Sequence, residues 1–257
     1  MAWVETELGG FIARHNEADA RDARRVLQSL ELTQLRLAEL FPRRIPEITV
    51  ILHGGVPSLT MTNPTLPLVW LLTAPAARRY VAGWAGADQL HVLSPALLRH
   101  RASNVEGSRE MLGLTAAALY ARRVVMENNK ELQGVMGAIR VRRELRWAWL
   151  LEGSARWFAG QTEHARPAIA RRLREGGGVG SVRFPPGLRD ATLLGGTVID
   201  LLVREEGEAA AARLATRLHP KGARAALGEA FGDRPVSRTE DAWRSHLRRL
   251  AGAAGTA

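Results

Sequence analysis

Apolar residues in the first hundred positions are spaced in a way that predicts alternating strands and helices. Residues 11–15 have the composition of a short strand, and residues 17–40 place apolar side chains three or four positions apart, which predicts a long amphipathic helix. The β-branched run 47–53 ends at two glycines, and residues 89–93 end at a serine–proline pair. Both runs therefore predict further strands.

The prolines between residues 56 and 75 predict a long loop. The four prolines interrupt the apolar pattern, and residues 68–72 remain as a candidate edge strand. Residues 76–82 predict a helical turn, and Gly83 and Gly86 predict a loop after it.

The chain from residue 108 onward has helical spacing throughout. The predicted helices cover about residues 108–127, 142–161, 164–175, 189–204, 206–218, 221–231 and 239–251. This order predicts an α+β fold, in which a mixed α/β part with a small sheet, about residues 1–105, precedes a helical part, about residues 106–257. A chain of 257 residues with 46% hydrophobic content can bury one sizeable core, so we expect a single domain over residues 1–257.

Composition narrows the setting in which the chain works. No run approaches the roughly 20 apolar residues of a membrane span, and Glu5 and Glu7 stand where a secretory signal would be basic and then apolar. Cysteine is absent, which excludes disulfides, thiolate metal sites and thiol nucleophiles. We therefore expect a soluble, cytoplasmic protein that has no membrane partner.

The formal charge of +10 raises the question of a nucleic-acid partner. All of the 36 basic residues except Lys130 and Lys221 are arginines. A bias of this kind is typical of a GC-rich coding sequence, and basic patches without stacking aromatic residues are usually solvated surfaces. We do not expect nucleic acid to be the partner, although a basic-surface binder of polyanions stays an alternative.

The segment with the most specific pattern is 147–160, which reads WAWLLEGSARWFAG. It resembles the W-L-x-E-G-x-A-x-[YW]-F segment of gluzincin zinc metallopeptidases, the peptidase MA-like family. In that family the glutamate is the third zinc ligand and lies on the helix after the H-E-x-x-H helix. The resemblance covers about residues 11–250, implies a zincin-like fold and puts Glu152 at the former metal-ligand position. The small residues Gly153 and Ala155 predict close packing of this helix.

The sequence departs from the family where the chemistry needs its histidines. Zinc binding requires two histidines four residues apart on one helical face, with a glutamate beside the first to activate water. The closest two of the seven histidines here are nine residues apart, and no H-E-x-x-H segment exists. In the best register, Ala118, Leu119 and Arg122 occupy the degenerate positions of first ligand, catalytic base and second ligand.

Two structural expectations follow from this register. The helices around Ala118 and Glu152 are expected to pack against each other, as they would around a zinc site. Glu152 is expected to be held by an arginine in place of the metal, with Arg122 the favoured partner and Arg156, one turn on, the local alternative.

Three other residues are candidates for the former substrate cleft. His91 lies on the strand at residues 89–93, which by the resemblance we expect to be the edge strand that borders the cleft, where His91 either contacts a peptide or makes a structural hydrogen bond. Tyr120 lies on the helix that lost the motif and is expected to fill space left by zinc and its water. Trp149, in the motif itself, is a cleft candidate or a core residue. A replacement metal site from His91, His100, His164 and Glu152 lacks ligand spacing, so we expect no metal and no cofactor.

The function that these observations favour is that of a catalytically inactive metallopeptidase homologue. Its former substrate cleft would hold a peptide or protein segment through strand addition, because that interaction needs main-chain hydrogen bonds and pockets but no metal. The alternatives are a metal-dependent hydrolase with a rebuilt site and a binder of polyanions. No Gly-x-Ser-x-Gly segment supports a serine hydrolase.

Overall fold

A five-stranded sheet forms the N-terminal part of the chain in a computed structural model that describes residues 3–45 and 47–253. The strands are β1 (Trp3–Leu8), β2 (Phe11–Asn16), β3 (Ile48–His53), β4 (Gly83–Ala85) and β5 (Gln89–Leu93). Their order in the sheet is β1-β2-β3-β5-β4. The three central strands β2, β3 and β5 are parallel, and an antiparallel strand closes each edge.

Helices make up most of the rest of the described chain. They are α1 (Ala20–Ala38), α2 (Val56–Thr62), α3 (Leu66–Leu72), α4 (Pro75–Arg78), α5 (Pro95–Arg101), α6 (Ser108–Gly113), α7 (Thr115–Asn128), α8 (Gly137–Arg146), α9 (Ala148–Phe158), α10 (Arg166–Glu175), α11 (Leu188–Glu206), α12 (Glu208–Ala215), α13 (Ala223–Ala230) and α14 (Val236–Ala253). The α+β class predicted from the sequence is confirmed. No helix within residues 3–45 and 47–253 combines the length and the apolar character that crossing a bilayer requires.

The segment predicted as a proline-rich loop is helical, and the candidate edge strand at residues 68–72 was wrong. Pro57 and Pro67 each lie in the first turn of a helix, α2 and α3 respectively. Proline is tolerated there because the backbone N–H that it lacks would have no partner within the helix. These prolines therefore start helices where the sequence interpretation took them as interruptions.

The edge strand is β4, in the segment that the glycines predicted to be a loop. Its position requires Gly83, since a Cβ atom there would collide with the carbonyl oxygen of His91 on β5 and with the side chain of Leu119. β5, the strand predicted to border the cleft, lies one place further in, between β3 and β4.

The sheet packs one face against α1 and α7. The inward residues of the central strands are almost fully buried; they include Phe11, Ala13, Val50, Leu52 and Leu90. Phe11 meets the ring of Tyr120 on α7 edge-on, with centroids 5.3 Å apart. Helix α7 thereby joins the sheet to the helical part.

Helix α9 packs between α7 and α11. The contact with α11 is close because Gly153 and Gly195 face each other, and a Cβ on either glycine would overlap the backbone of the other helix. The packing of the helices that carry Ala118 and Glu152 is as expected.

Candidate functional site

A cleft of about 350 Å³ lies between the edge strand β4 and the helices α7 and α9. The sequence register places three residues at the degenerate H-E-x-x-H positions, Ala118, Leu119 and Arg122, and the resemblance adds Glu152 as the third ligand position. All four line this cleft. Helices α3, α8 and α11 contribute the remaining walls. The register from sequence therefore brings these four positions into one cavity.

Arg122 bridges two carboxylates at the floor of the cleft. Its Nε donates to Glu152 Oε1 at 2.9 Å, and its Nη2 donates to Glu144 Oε2 at 2.8 Å. The expected ion pair between Arg122 and Glu152 is thus present. The three side chains are between 20% and 29% exposed, so the network is shielded without being sealed from water.

The charges in this network stabilise each other. Burial alone would lower the pKa of Arg122, but the charges of Glu152 and Glu144 outweigh it and raise the pKa above the ordinary arginine value. Burial raises the pKa of Glu144, yet Arg122 and Arg140 outweigh it and the net pKa is lowered. Arg122 and Glu144 are therefore both ionised at neutral pH.

Arg156 approaches the second oxygen of Glu152 from within α9. Its Nη2 lies 3.9 Å from Glu152 Oε2, and its Nη1 donates to Gln161 Oε1 at 2.6 Å. The same Nη2 also donates to the carbonyl of Tyr80 at 3.3 Å. Burial lowers the pKa of Arg156, while the charge of Glu152 acts in the opposite direction. Both arginines that were predicted from the sequence as partners of Glu152 therefore lie next to its carboxylate.

The residues that the resemblance aligns with zinc ligands do not fit a zinc ion. Ala118 has no donor atom, and the guanidinium of Arg122 places a positive charge where a metal cation would have to bind. Within residues 3–45 and 47–253, no three His, Asp or Glu side chains are grouped so that they could hold a metal.

The three further cleft candidates lie outside the described lining of the cleft. Tyr120 is buried against Phe11, and Trp149 is buried with no hydrogen-bond partner for its Nε1 among the described residues. His91 points to the opposite face of the sheet, because side chains alternate along β5 and its neighbours face the core. The sequence interpretation had placed His91 at the cleft only because it took β5 for the edge.

His91 instead forms a buried cluster with two other rings. The indole of Trp84 stacks on it with centroids 4.2 Å apart, and its Nδ1 lies 3.0 Å from His53 Nε2. Burial and the neighbouring His91 lower the pKa of His53 to about 4. Burial lowers the pKa of His91 too, and Asp88 partly opposes that effect. At neutral pH both rings are uncharged, and one of them donates the shared hydrogen bond.

The outer edge of β4 presents main-chain groups towards the cleft. Ala82 and Gly86 form the hydrogen bonds that join this segment to β5. Antiparallel partners alternate in their hydrogen bonding, so the intervening Gly83 and Ala85 direct their N–H and C=O groups away from β5. An extended chain lying in the cleft could pair with these groups.

Glu144 and the edge strand are the parts of the site that sequence reasoning missed. The only signal for Glu144 was a lone carboxylate in an arginine-rich segment, and that pattern is typical of a solvated surface.

Comparisons with protein-family models, with curated proteins and with solved structures found no match to this chain.

Proposed function

We propose that this chain is a catalytically inactive, zincin-like homologue of gluzincin metallopeptidases that binds an extended polypeptide segment in its cleft. The observation that carries the proposal is that Ala118, Leu119, Arg122 and Glu152 line one cleft beside an antiparallel edge strand. This is the arrangement that the resemblance of residues 147–160 implies for a substrate groove, with the metal-binding side chains replaced.

The chemistry of the floor supports a binding function. A carboxylate in a partly buried metal site needs a cation, because desolvating an unpaired charge costs several kcal/mol. Arg122 supplies that charge with a planar fork that can bond Glu152 and Glu144 together. An arginine, unlike a zinc ion, does not polarise a peptide carbonyl as a Lewis acid or activate a bound water as a nucleophile.

The edge strand supplies the means of binding. In strand addition, main-chain hydrogen bonds give affinity and side-chain pockets give selectivity. Gly83 and Ala85 offer the main-chain groups, and small side chains at Ala118, Ala148 and Ala155 leave room beneath them. A cleft of about 350 Å³ lies within the usual size range of ligand pockets.

The test removes one main-chain donor from the edge without touching the fold's own hydrogen bonds. Purified protein would be used to select binders from a pool of random-sequence dodecapeptides, and the affinities of the selected peptides would be measured by fluorescence anisotropy. Ala85→Pro deletes the outward N–H, whereas Ala85→Ser is the matched control that keeps it. Loss of one such hydrogen bond is expected to weaken binding by about tenfold.

Two results would contradict the proposal. The first is a pool that yields no binder, or binders whose affinity is the same for Ala85→Pro and Ala85→Ser. The second is hydrolysis of the selected peptides by the protein supplied with zinc, which would favour the rebuilt hydrolase instead. Circular dichroism of both variants establishes that the sheet is intact.

A further inference from the structure

One side of the cleft mouth is formed by a segment without charge. No Asp, Glu, Lys or Arg occurs between His53 and Arg78, although α2 and α3 in this segment are largely exposed. The outward face of α3 is aliphatic: Leu68 is 55% exposed and Leu71 is 71% exposed, and Val69 lines the cleft. A surface helix in water normally carries polar residues on this face, so its composition is typical of an interaction site.

The other side of the mouth is formed by α8, which has no buried residue. Ile139, Val141 and Leu145 are all exposed on this helix, and the last two line the cleft. The same ten residues contain four arginines and one glutamate. Because Glu144 is bound by Arg122 and Arg140, α8 presents an excess of positive charge among its aliphatic side chains.

We propose that the exposed faces of α3 and α8 are the two lips of the peptide groove and select a segment that combines aliphatic and acidic side chains. This inference rests on the proposed function, since it names the chemistry of the polypeptide that the cleft would hold. The aliphatic side chains of the segment pack against α3 and the small residues of the floor, and its carboxylates face α8.

Charge complementarity identifies the occupant. Arg142 is exposed on α8 at the rim of the cleft, next in sequence to the lining residue Val141 and itself outside the lining, and no carboxylate in the described ranges 3–45 and 47–253 forms an ion pair with it. A carboxylate on the bound segment would supply that partner. A second copy of this chain would bring its own excess of arginines to the same place, and like charges would then oppose pairing of the two α8 helices.

The shape of the surface favours a segment over an anionic bilayer, which would offer similar chemistry. The two lips flank a cleft that also contains the free edge of β4. A single extended chain can reach the edge, the floor and both lips together. A flat bilayer would touch only the lips.

The experiment uses the same dodecapeptide pool and variants on each lip. Val69→Asp and Leu145→Asp place a charge on the apolar lips, and Leu35→Asp is the control because Leu35 is an exposed leucine of α1 outside the cleft lining. Arg142→Glu reverses the charge of α8, with Arg24→Glu on the exposed side of α1 as its control. Peptides selected by the unaltered protein are expected to be enriched in Leu, Ile or Val together with Asp or Glu. The lip variants are expected to bind them about tenfold more weakly, and the controls are expected to bind normally.

The outcomes separate this inference from the proposed function. Binders that depend on Ala85 but have no aliphatic or acidic preference, and that ignore the lip variants, would overturn the inference and leave strand addition intact. Binders that depend on the lips and not on Ala85 would support the lips and contradict strand addition. Sedimentation with phosphatidylglycerol vesicles, lost in Val69→Asp and Leu145→Asp but not in Leu35→Asp, would overturn the inference in favour of a membrane surface.

Discussion

Arg122 separates two carboxylates that would otherwise repel each other at the floor of the cleft. Glu152 and Glu144 come from different helices, and each bonds a different nitrogen of the same guanidinium. The pairing with Glu152 could be predicted from sequence, because both residues belong to one motif register. The pairing with Glu144 could not, because the sequence predicted a single helix over residues 142–161. The helix is instead interrupted at Trp147, and α8 then places Glu144 within hydrogen-bonding distance of Arg122.

The first prediction concerns the energy of this network. Arg122→Ala should lower the free energy of unfolding by about 2–3 kcal/mol, because it leaves two shielded carboxylates without their shared cation. The double change Arg122→Met with Glu152→Leu should be milder than Arg122→Ala, since no unpaired charge remains at position 152 and Glu144 keeps Arg140. Urea unfolding of Arg122→Met, Glu152→Leu and the double variant measures the coupling between the two residues. Strictly additive effects would show that the pair does not act as a unit.

The second prediction concerns pH and the buried histidine pair. The pKa of His53 is about 4 in the folded protein, below the ordinary value of 6.5, because of burial and the neighbouring His91. The unfolded chain therefore takes up a proton first as the pH falls. Stability should be full above pH 6.5 and decrease down to about pH 4, by up to about 3 kcal/mol from this residue.

The measurement is urea unfolding at several pH values between 7 and 5, a range in which most carboxylates still carry charge. His53→Gln should flatten the pH dependence over this range, because glutamine keeps hydrogen-bonding groups without titrating. His219→Gln serves as the control, since His219 is outside the sheet and close to Glu229. An unchanged slope in His53→Gln would show that the pair does not control acid stability.

At the scale of the elements, the close packing of α9 on α11 is a feature that the sequence predicted. The small residues of the motif predicted tight packing, and the structure shows why: Gly153 lies against the backbone of Gly195, and a Cβ on Gly195 would lie 2.5 Å from the carbonyl oxygen of Trp149. Backbone cannot yield as a flexible side chain can, so this contact fixes the spacing of the two helices.

The third prediction tests this contact. Gly153→Ala should destabilise the protein by about 1–3 kcal/mol, although alanine favours a helix, because the methyl group overlaps the backbone of α11. Gly228→Ala in α13 is the matched control: its nearest neighbour would be 4.0 Å from the new Cβ, and a gain of about 0.5–1 kcal/mol is expected. The melting temperatures of both variants, measured by thermal unfolding, test this prediction. Equal effects would mean that the helices separate at little cost.

Other elements show where sequence patterns mislead. Most helices after residue 108 were predicted close to their observed positions, because they bury one apolar face and the spacing of the apolar residues reports that face directly. The exception is α8, which has no buried residue and was predicted as part of one helix with α9. α2 and α3 were missed because their prolines suggested interruptions and not helix starts. In α3 the exposed face is also apolar, so the polar half of the helical pattern is absent there. β4 was missed because three residues are too few to show alternation, and its glycine is required by a neighbour distant in sequence.

At the scale of the whole molecule, the candidate site lies where the sheet and the helical part meet. Gly83 and Ala85 come from the first part of the chain, and Ala118, Arg122 and Glu152 come from the second. Sequence predicted the order of the two parts and the register within the second. It could not predict which strand forms the wall of the cleft, because strand order depends on contacts between distant segments.

The proposed ancestry requires a particular spacing between α7 and α9, since a zinc site of this type needs ligands from two helices at the right separation. If α7 and α9 keep the spacing of a metallopeptidase, restoring the lost side chains should restore the site without further change. The packing of α9 on α7 and the ion pair from position 122 to Glu152 show that these positions are within reach of each other.

The fourth prediction is therefore that Ala118→His, Leu119→Glu and Arg122→His together create a protein that binds about one zinc ion per chain. Elemental analysis after dialysis measures the metal, and adding Glu152→Ala should abolish most of the binding because it removes the third ligand. The control pair Arg123→His with Glu127→His keeps the four-residue spacing but turns it about 140° around α7, to residues outside the cleft lining, and should bind little zinc. If the restored protein folds but binds no more zinc than this control, the four positions do not descend from a metal site, and the resemblance of residues 147–160 reflects helix packing alone.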